Sequence, residues 1–225
     1  MLKKLFIGVA MLLSVSVFAQ EKVDAQQAKE PSEKSQQMSL ASRLVNYGYQ
    51  TKTALPLIQA VKIYQDLNVV EATDGKEPVT KQDGQIKDGI SKADQPVRNE
   101  AQLLKDAATF ANGDKTLLAL IKECENIKRS PVGGTILRYF RIPARSYQDW
   151  VVTLYGGQST GIVVSGDGTT DLDIYLYDQN GRLIGSDTSY GDDCFLGVDV
   201  YITSNFTIRV KNLGYVYNDY SLMVY

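Results

Sequence analysis

The feature that most constrains the fold is an alternation of apolar and polar residues in the last two fifths of the chain. Leu172, Ile174 and Leu176 are separated by aspartate and tyrosine residues, which places the apolar side chains on one face of a strand. The segment 206–212 follows the same pattern. Short apolar runs bounded by turn residues recur at intervals of roughly ten residues, which is typical of a β-sandwich.

Composition supports this interpretation, because eleven of the fourteen tyrosines follow residue 131. Tyrosine favours strands, and the many Gly and Asp residues between the runs favour turns. The sequence predicts eight strands, at residues 136–142, 149–155, 160–165, 171–178, 182–187, 194–200, 206–212 and 217–225.

The N-terminus has the organisation of a secretory signal peptide. Lys3 and Lys4 precede an uncharged run that ends at Phe18, followed by a small residue before Gln20. The run is shorter than the roughly 20 residues that a spanning helix needs. We therefore expect residues 1–19 to be removed near Ala19 and the mature chain, with no membrane span, to be periplasmic or secreted.

Residues 20–37 contain few apolar side chains, which predicts a disordered spacer. From residue 38 the apolar residues follow helical spacing, with a break at "GYQTKT" between two helices. The segment 103–123 repeats the pattern of 40–60, and two such hairpins can cover each other's apolar stripes. A bundle of four helices over 38–130 is predicted. Chance similarity between two amphipathic hairpins is the alternative.

Between the two hairpins, residues 71–96 are rich in Gly, Asp and Lys and predict a flexible loop. The segment "SPVGGT" at 130–135 supplies the breakers between helical and β regions. The chain is therefore expected to have the α+β class and two domains, a small helical-hairpin bundle at 38–130 and an antiparallel β-sandwich at 131–225.

Three segments of the β region resemble the bacterial pre-peptidase C-terminal domain. They are "DLDIYLYD" at 171–178 with the turn Asn180-Gly181, "FTIRVKN" at 206–212 and "YSLMVY" at 220–225. The resemblance covers about residues 134–225 and implies a jelly-roll-like sandwich. Ser204-Asn205 stands where the family usually has a glycine, and the preceding helical region does not resemble a peptidase. Roles in calcium and substrate binding vary within that family, so the resemblance implies the fold more than a function.

The aspartates of the β region form a candidate calcium site. Asp171 and Asp173 point to the same sheet face, and calcium takes six to eight oxygen ligands, some of which loops of a sandwich supply. The other candidate ligands are Asp167, Asp187, Asp192 and Asp193. Capping of turns and protection of sheet edges would explain the same residues without a metal. Asp178, in the turn "DQNG", is expected to be structural.

Composition argues against several functions. The chain has no histidine, which removes Ser-His-Asp and Cys-His catalysis and histidine-bound metals. From residue 131 onwards there are ten Asp, no Glu and six Lys or Arg, and neither half supplies the basic stripe that nucleic-acid binding needs. We therefore expect a protein that is not an enzyme.

The two cysteines, Cys124 and Cys194, fall in different predicted domains. An exported chain with an even number of cysteines favours a disulfide, which here would join the helical unit to the sandwich. Two separate buried thiols are the alternative, because Cys124 occupies an apolar helical position.

Two functions remain open on the sequence. In the first, an envelope or extracellular protein or a polysaccharide is bound either by the outer sheet face that carries Tyr175 and Tyr177 beside Asp171 and Asp173, or by the loops of the sandwich. In the second, the helical repeat is a scaffold for an envelope protein complex and the sandwich is a structural appendage.

Overall fold

The computed structural model describes residues 25–27, 32–72, 76–88, 90–93, 98–127 and 135–225. The predicted signal peptide and the predicted boundary at residue 131 lie outside these ranges. Helices precede a β-sandwich, which confirms the α+β class. The N-terminal elements are β1 (Ala25–Gln27), α1 (Glu33–Thr51), α2 (Ala54–Asp66), β2 (Val69–Glu71), β3 (Val79–Gln82), α3 (Glu100–Phe110) and α4 (Lys115–Glu125).

All eight strands predicted for the C-terminal region are present, with ends that move by at most three residues. They are β4 (Thr135–Ile142), β5 (Ser146–Leu154), β6 (Gln158–Ser165), β7 (Leu172–Tyr177), β8 (Leu183–Asp187), β9 (Asp193–Val200), β10 (Ser204–Asn212) and β11 (Asn218–Val224).

The strands form two sheets. Sheet A has the order β1-β9-β6-β11-β4-β2, and sheet B has the order β3-β5-β10-β7-β8. Without the short strands β1, β2 and β3, each sheet has four antiparallel strands, and the chain crosses between the sheets in the order of a jelly roll. The parallel pairing of β2 with β4 is the exception to the antiparallel pattern.

The predicted inner faces are confirmed. Leu172, Ile174 and Leu176 are each 0% exposed, and the alternate residues of β10 lie in the same core between the two sheets. The aromatic rings of Phe140 and Trp150 contact each other there, with centroids 4.3 Å apart. The interior of the sandwich is thus filled by the residues that the alternation selected.

A second core lies between sheet A and the helices. Leu137, Val163 and Met223 point away from sheet B and are buried in one cluster with residues of all four helices, including Leu57 and Ile121. The helical region is therefore a layer on sheet A, and sheet A is buried on both faces.

Both predicted helical hairpins are present, as α1–α2 and α3–α4. Equivalent positions such as Ile58 and Ile121 are buried in both, whereas Leu40 is exposed and its counterpart Leu103 is fully buried. The two copies thus share the hairpin but not the same surroundings.

The prediction of a disordered spacer is wrong for the described residues of 20–37. Helix α1 begins at Glu33 rather than at residue 38, and the Ser32 side chain caps it by accepting a hydrogen bond from the Ser35 backbone N–H. Strand β1 pairs with the edge strand β9, and Ala25 is buried in the sandwich core. The segment is polar and has little apolar periodicity. The sequence pattern therefore does not predict its backbone pairing with the edge strand β9.

The predicted flexible loop at 71–96 also contains structure. Strand β3 pairs with β5 at the edge of sheet B, and Asp83 forms an ion pair with Lys211 at 2.7 Å. Further along, the Lys92 ammonium lies 4.2 Å from the ring centroid of Tyr217 and forms an ion pair with Asp167. These contacts hold the described part of the segment against the sandwich.

Candidate functional site

The outer face of sheet B is the candidate site, because no helix covers it in the described residues. On β10 the alternation that buries Phe206, Ile208 and Val210 turns Thr207 and Arg209 outward. The strand register places Arg209 between Asp149 of β5 and Tyr175 of β7, and Thr207 opposite Tyr177. Side chains from three strands thus meet in one patch.

Arg209 is the centre of this patch. Its Nε and Nη2 donate to the two carboxylate oxygens of Asp149, at 2.7 and 2.8 Å. The guanidinium lies 3.9 Å from the ring centroid of Tyr147 and 5.3 Å from that of Tyr177. The hydrogen bonds to Asp149 raise the pKa of Arg209 above its usual value, so the guanidinium is charged at every physiological pH.

The two predicted surface tyrosines lie next to Arg209 on β7. The rings of Tyr175 and Tyr177 are stacked, with centroids 6.4 Å apart and an angle of 22° between their planes. Both side chains are partly exposed. We call the set Tyr147, Asp149, Tyr175, Tyr177 and Arg209 the aromatic row.

Asp173 is not on the open surface, which corrects the prediction of a solvent-facing carboxylate. Its residue is 5% exposed, and its Oδ2 accepts a hydrogen bond from the Tyr175 hydroxyl at 2.9 Å. Burial raises the pKa of the Asp173 carboxyl, and burial together with the bond to Asp173 raises the pKa of Tyr175 to about 12. This pair therefore fixes the Tyr175 ring.

A shallow groove of about 600 Å³ runs beside the aromatic row. Val151, which is 64% exposed, and Thr207 lie along it, and the turn between β7 and β8 closes one side. Asp178 holds that turn by accepting from the backbone N–H groups of Asn180 and Arg182, at 2.9 and 2.8 Å. Asp178 is thus structural, as the sequence predicted.

The predicted calcium ligands do not form one site. Asp167 lies in an ion pair with Lys92 and accepts from the Asp219 backbone N–H, whereas Asp171 accepts from the Gly191 N–H. Within the described ranges, which include all six candidates, no three acidic, Cys or His residues are placed to hold a metal ion.

The three remaining candidates also have protein donors. Asp187 accepts from Phe195 N–H, Asp192 accepts from Asn218, and Asp193 accepts from Ser165. Burial raises the pKa values of the Asp192 and Asp193 carboxyls, which shows that desolvation outweighs these hydrogen bonds there. The alternative that the sequence left open, turn and strand-end capping, describes these residues.

The predicted disulfide is absent, and Cys124 and Cys194 are both free and buried. Cys194 points into the core between the two sheets, where its thiol contacts the Leu172 carbonyl oxygen at 3.0 Å, whereas Cys124 lies in the core between the helices and sheet A. Sheet A separates the two sulfur atoms. Burial raises the pKa of both thiols, which disfavours the reactive thiolate.

No family model matches the chain, and no curated protein matches it. Solved structures do. One is the Yersinia pseudotuberculosis-derived mitogen, with 16% identity, a TM-score of 0.34, and coverage of 40% of this chain and 84% of the mitogen. Another is PliG of Aeromonas hydrophila, a periplasmic inhibitor of g-type lysozyme, with 11% identity, a TM-score of 0.32, and coverage of 44% and 90%.

A pre-peptidase C-terminal domain is also among them. It belongs to a Bacillus anthracis collagenase and has 13% identity, a TM-score of 0.27, and coverage of 44% of this chain and 86% of that domain. The resemblance noted in the sequence thus recurs in the comparison of structures. TM-scores this low transfer no function to this chain.

The sequence singled out Tyr175 and Tyr177 as candidates, and the structure places Tyr147, Asp149 and Arg209, which it did not single out, beside them. Arg209 was visible as an outward residue of its strand. What joins it to the tyrosines is the register of β10 with β5 and β7, which alternation alone does not specify.

Within the described ranges, none of the helices is both long and apolar enough to cross a bilayer.

Proposed function

We propose that the chain is an exported, non-enzymatic protein that binds an envelope or extracellular polysaccharide along the outer face of sheet B. The observation that carries this proposal is the aromatic row, in which Arg209 is held between Tyr147 and Tyr177 by its paired hydrogen bonds to Asp149. Such a row suits a flat, extended ligand.

The chemistry of the row matches that of a sugar chain. Aromatic rings offer apolar faces on which the C–H faces of sugar rings can pack, and the tyrosine hydroxyls add hydrogen-bonding groups. Beyond the two hydrogen bonds that they make with each other, the Arg209 guanidinium has further N–H donors and the Asp149 carboxylate has further lone pairs for sugar hydroxyls beside those rings. A small number of fixed polar groups among apolar surfaces is the usual composition of a binding site.

The row is also held in place before any ligand arrives. Tyr175 donates to the buried Asp173, and Arg209 is fixed by two hydrogen bonds to Asp149. A ligand therefore does not have to order these side chains, which lowers the entropic cost of binding.

Isothermal titration calorimetry of the mature chain with soluble polysaccharides tests the proposal. The panel is a neutral β-glucan, a polyuronate and soluble peptidoglycan glycan strands. We expect saturable binding to at least one polymer, and a loss of about tenfold in affinity for Tyr177→Ala, because the variant removes one stacking ring from the row.

Tyr190→Ala is the matched control, since Tyr190 is 96% exposed and lies in the loop between β8 and β9, outside the row. It is expected to leave the affinity unchanged. Absence of binding to every polymer, or equal losses in both variants, would contradict the proposal. Binding that is lost only when the exposed helical residues Leu55 and Leu118 are changed would favour the helical scaffold instead.

Export is part of the proposal and rests on the N-terminal sequence. Cell fractionation followed by N-terminal sequencing is expected to find a mature protein outside the cytoplasm that begins at Gln20. A chain that keeps Lys3 and Lys4 in the cytoplasm would contradict it.

A further inference from the structure

We infer that the face carrying the aromatic row selects an uncharged polysaccharide and discriminates against polyanionic chains such as polyuronates. This inference rests on the proposed function, since it names the class of polysaccharide that the same site binds. It is carried by the ion pairs of this face, in which the protein neutralises its own charges, and by the uncharged polar groups beside the tyrosine rings.

Arg209 presents hydrogen-bond donors to a ligand but little net charge. The two carboxylate oxygens of Asp149 lie 2.7 and 2.8 Å from its Nε and Nη2. A ligand carboxylate that approaches Arg209 therefore meets the opposing charge of Asp149 at almost the same distance. A sugar hydroxyl meets no such opposition, because it is uncharged and can accept from the remaining N–H groups of the guanidinium.

Two other cations that flank the row are also paired with carboxylates of the protein. Lys211, the next outward residue of β10, forms an ion pair with Asp83 at 2.7 Å. Arg182, in the turn between β7 and β8, forms an ion pair with Asp178 at 2.8 Å. An anionic polymer would have to displace these carboxylates to bind the two cations, and such an exchange of one carboxylate for another gains little free energy.

The groove beside the row has an excess of carboxylates. Its charged lining residues are Asp149, Asp178 and Arg209. Lys81 is exposed opposite Tyr147 on the edge strand β3, but it does not line the groove. From residue 131 onwards the chain has ten Asp and six Lys or Arg, so the overall field of the β region also repels a polyanion. A polyuronate, with a carboxylate on every sugar, is thus disfavoured.

Uncharged polar groups line the rest of the groove. The Asn205 side-chain oxygen accepts from the Thr153 hydroxyl at 2.9 Å, which orients the amide and keeps its N–H2 group as a donor. Thr207 lies opposite Tyr177 in the strand register and adds a hydroxyl next to that ring. Amide and hydroxyl groups both bond to the hydroxyls of a neutral sugar, with no charge left unpaired.

The test compares neutral and oxidised forms of the same polymer. Isothermal titration calorimetry of the mature chain uses soluble β-glucans of different linkage, each beside a derivative whose primary hydroxyls are oxidised to carboxylates. For each pair that binds, we expect the neutral form to bind at least about tenfold more tightly at low ionic strength. Added salt should leave the affinity of the neutral form unchanged and narrow the difference, because salt screens the repulsion.

Asp149→Asn tests the origin of the selectivity. The variant keeps an oxygen acceptor for Arg209 but leaves the guanidinium charge without its carboxylate. We expect the ratio of the neutral to the oxidised affinity to fall by about tenfold. A loss of order in the row would instead weaken both forms. Glu125→Gln is the charge-matched control, because Glu125 is exposed at the end of α4 in the helical layer, and it should leave the ratio unchanged.

The outcomes separate this inference from the proposed function. Oxidised polymers that bind as tightly as their neutral forms, or more tightly, would overturn the inference and leave polysaccharide binding in place. An unchanged ratio in Asp149→Asn, or the same change in Glu125→Gln, would also overturn it. An absence of binding to every polymer would contradict the proposed function, and this inference with it.

Discussion

The two sheets of the sandwich have different surroundings, and their sequences show it. In sheet A, β6 and β11 contain consecutive buried apolar residues, Ile162 to Val164 and Leu222 to Met223. In sheet B, β10 alternates buried and partly exposed residues along most of its length. Consecutive apolar residues are typical of strands covered on both faces, and alternation is typical of strands with one face in water.

This difference identifies the role of the helices. They cover the outer face of sheet A, where Leu137, Val163 and Met223 would otherwise contact water. Sheet B has no such layer in the described residues, and its outer face carries the aromatic row. The contrast between a covered and an open sheet therefore underlies the assignment of the binding face.

Removal of the helical layer is expected to have the largest effect. A fragment of residues 131–225 would expose the apolar outer face of sheet A, so we expect it to aggregate or to bind the dye ANS strongly. Size-exclusion chromatography and dye fluorescence check this. A soluble monomer with a cooperative unfolding transition close to that of the full chain would show that sheet A is stable without the helical layer.

A pair of truncations compares the two outer faces directly. Leu137→Ala, on the covered face of sheet A, is expected to lower the free energy of unfolding by about 2–5 kcal/mol because it leaves a cavity. Val151→Ala, on the open face of sheet B, is expected to change it by no more than about 0.5 kcal/mol. Urea denaturation measures both, and equal losses would contradict the contrast.

A smaller effect on stability is expected at Asp173, which is buried although it belongs to the outer face of sheet B. Burial raises the pKa of its carboxyl in the folded state, so the folded chain binds this proton more tightly than the unfolded chain does. The contribution of Asp173 to stability is therefore greatest below the unfolded pKa of about 3.9 and falls as the pH rises through the folded pKa.

Asp173→Asn is neutral at every pH and can still accept from the Tyr175 hydroxyl. We expect the variant to be more stable than the unmodified chain at pH 7 and to lose this advantage below about pH 4. Urea midpoints across this pH range measure the difference. An advantage that grows as the pH falls would show that the carboxylate is stabilised rather than destabilised by its surroundings.

Calcium is expected to have the smallest effect. The six aspartates predicted as ligands accept hydrogen bonds from protein donors and do not converge, so millimolar calcium should leave the melting temperature of the full chain unchanged. Differential scanning fluorimetry with calcium and with EDTA checks this. A rise in melting temperature that Asp171→Ala abolishes would restore the calcium site.

The sequence predicted the sandwich because its signals are local. Alternation decides which face of a strand is buried, and Leu172, Ile174 and Leu176 are inside as expected. Turn residues limit each strand, so all eight were located. The two helical hairpins were found for a similar reason, since their apolar residues recur at helical spacing.

The elements that the sequence missed depend on partners far along the chain. Strands β1 and β3 are polar and are held by pairing with β9 and β5, which leaves no periodic signal. The predicted disulfide and the predicted calcium site are absent for a different reason. Suitable residue types were present, but sheet A separates Cys124 from Cys194, and backbone N–H groups occupy several of the carboxylates.

Hydroxyl-radical footprinting of the tyrosines, with and without a polysaccharide that binds, tests the central claim most directly. We predict that Tyr147, Tyr175 and Tyr177 react in the free protein and are protected in the complex. Tyr190 should react in both states, and the buried Tyr64 and Tyr220 in neither. Protection of Tyr190 without protection of Tyr177 would contradict the assignment of the outer face of sheet B as the binding surface.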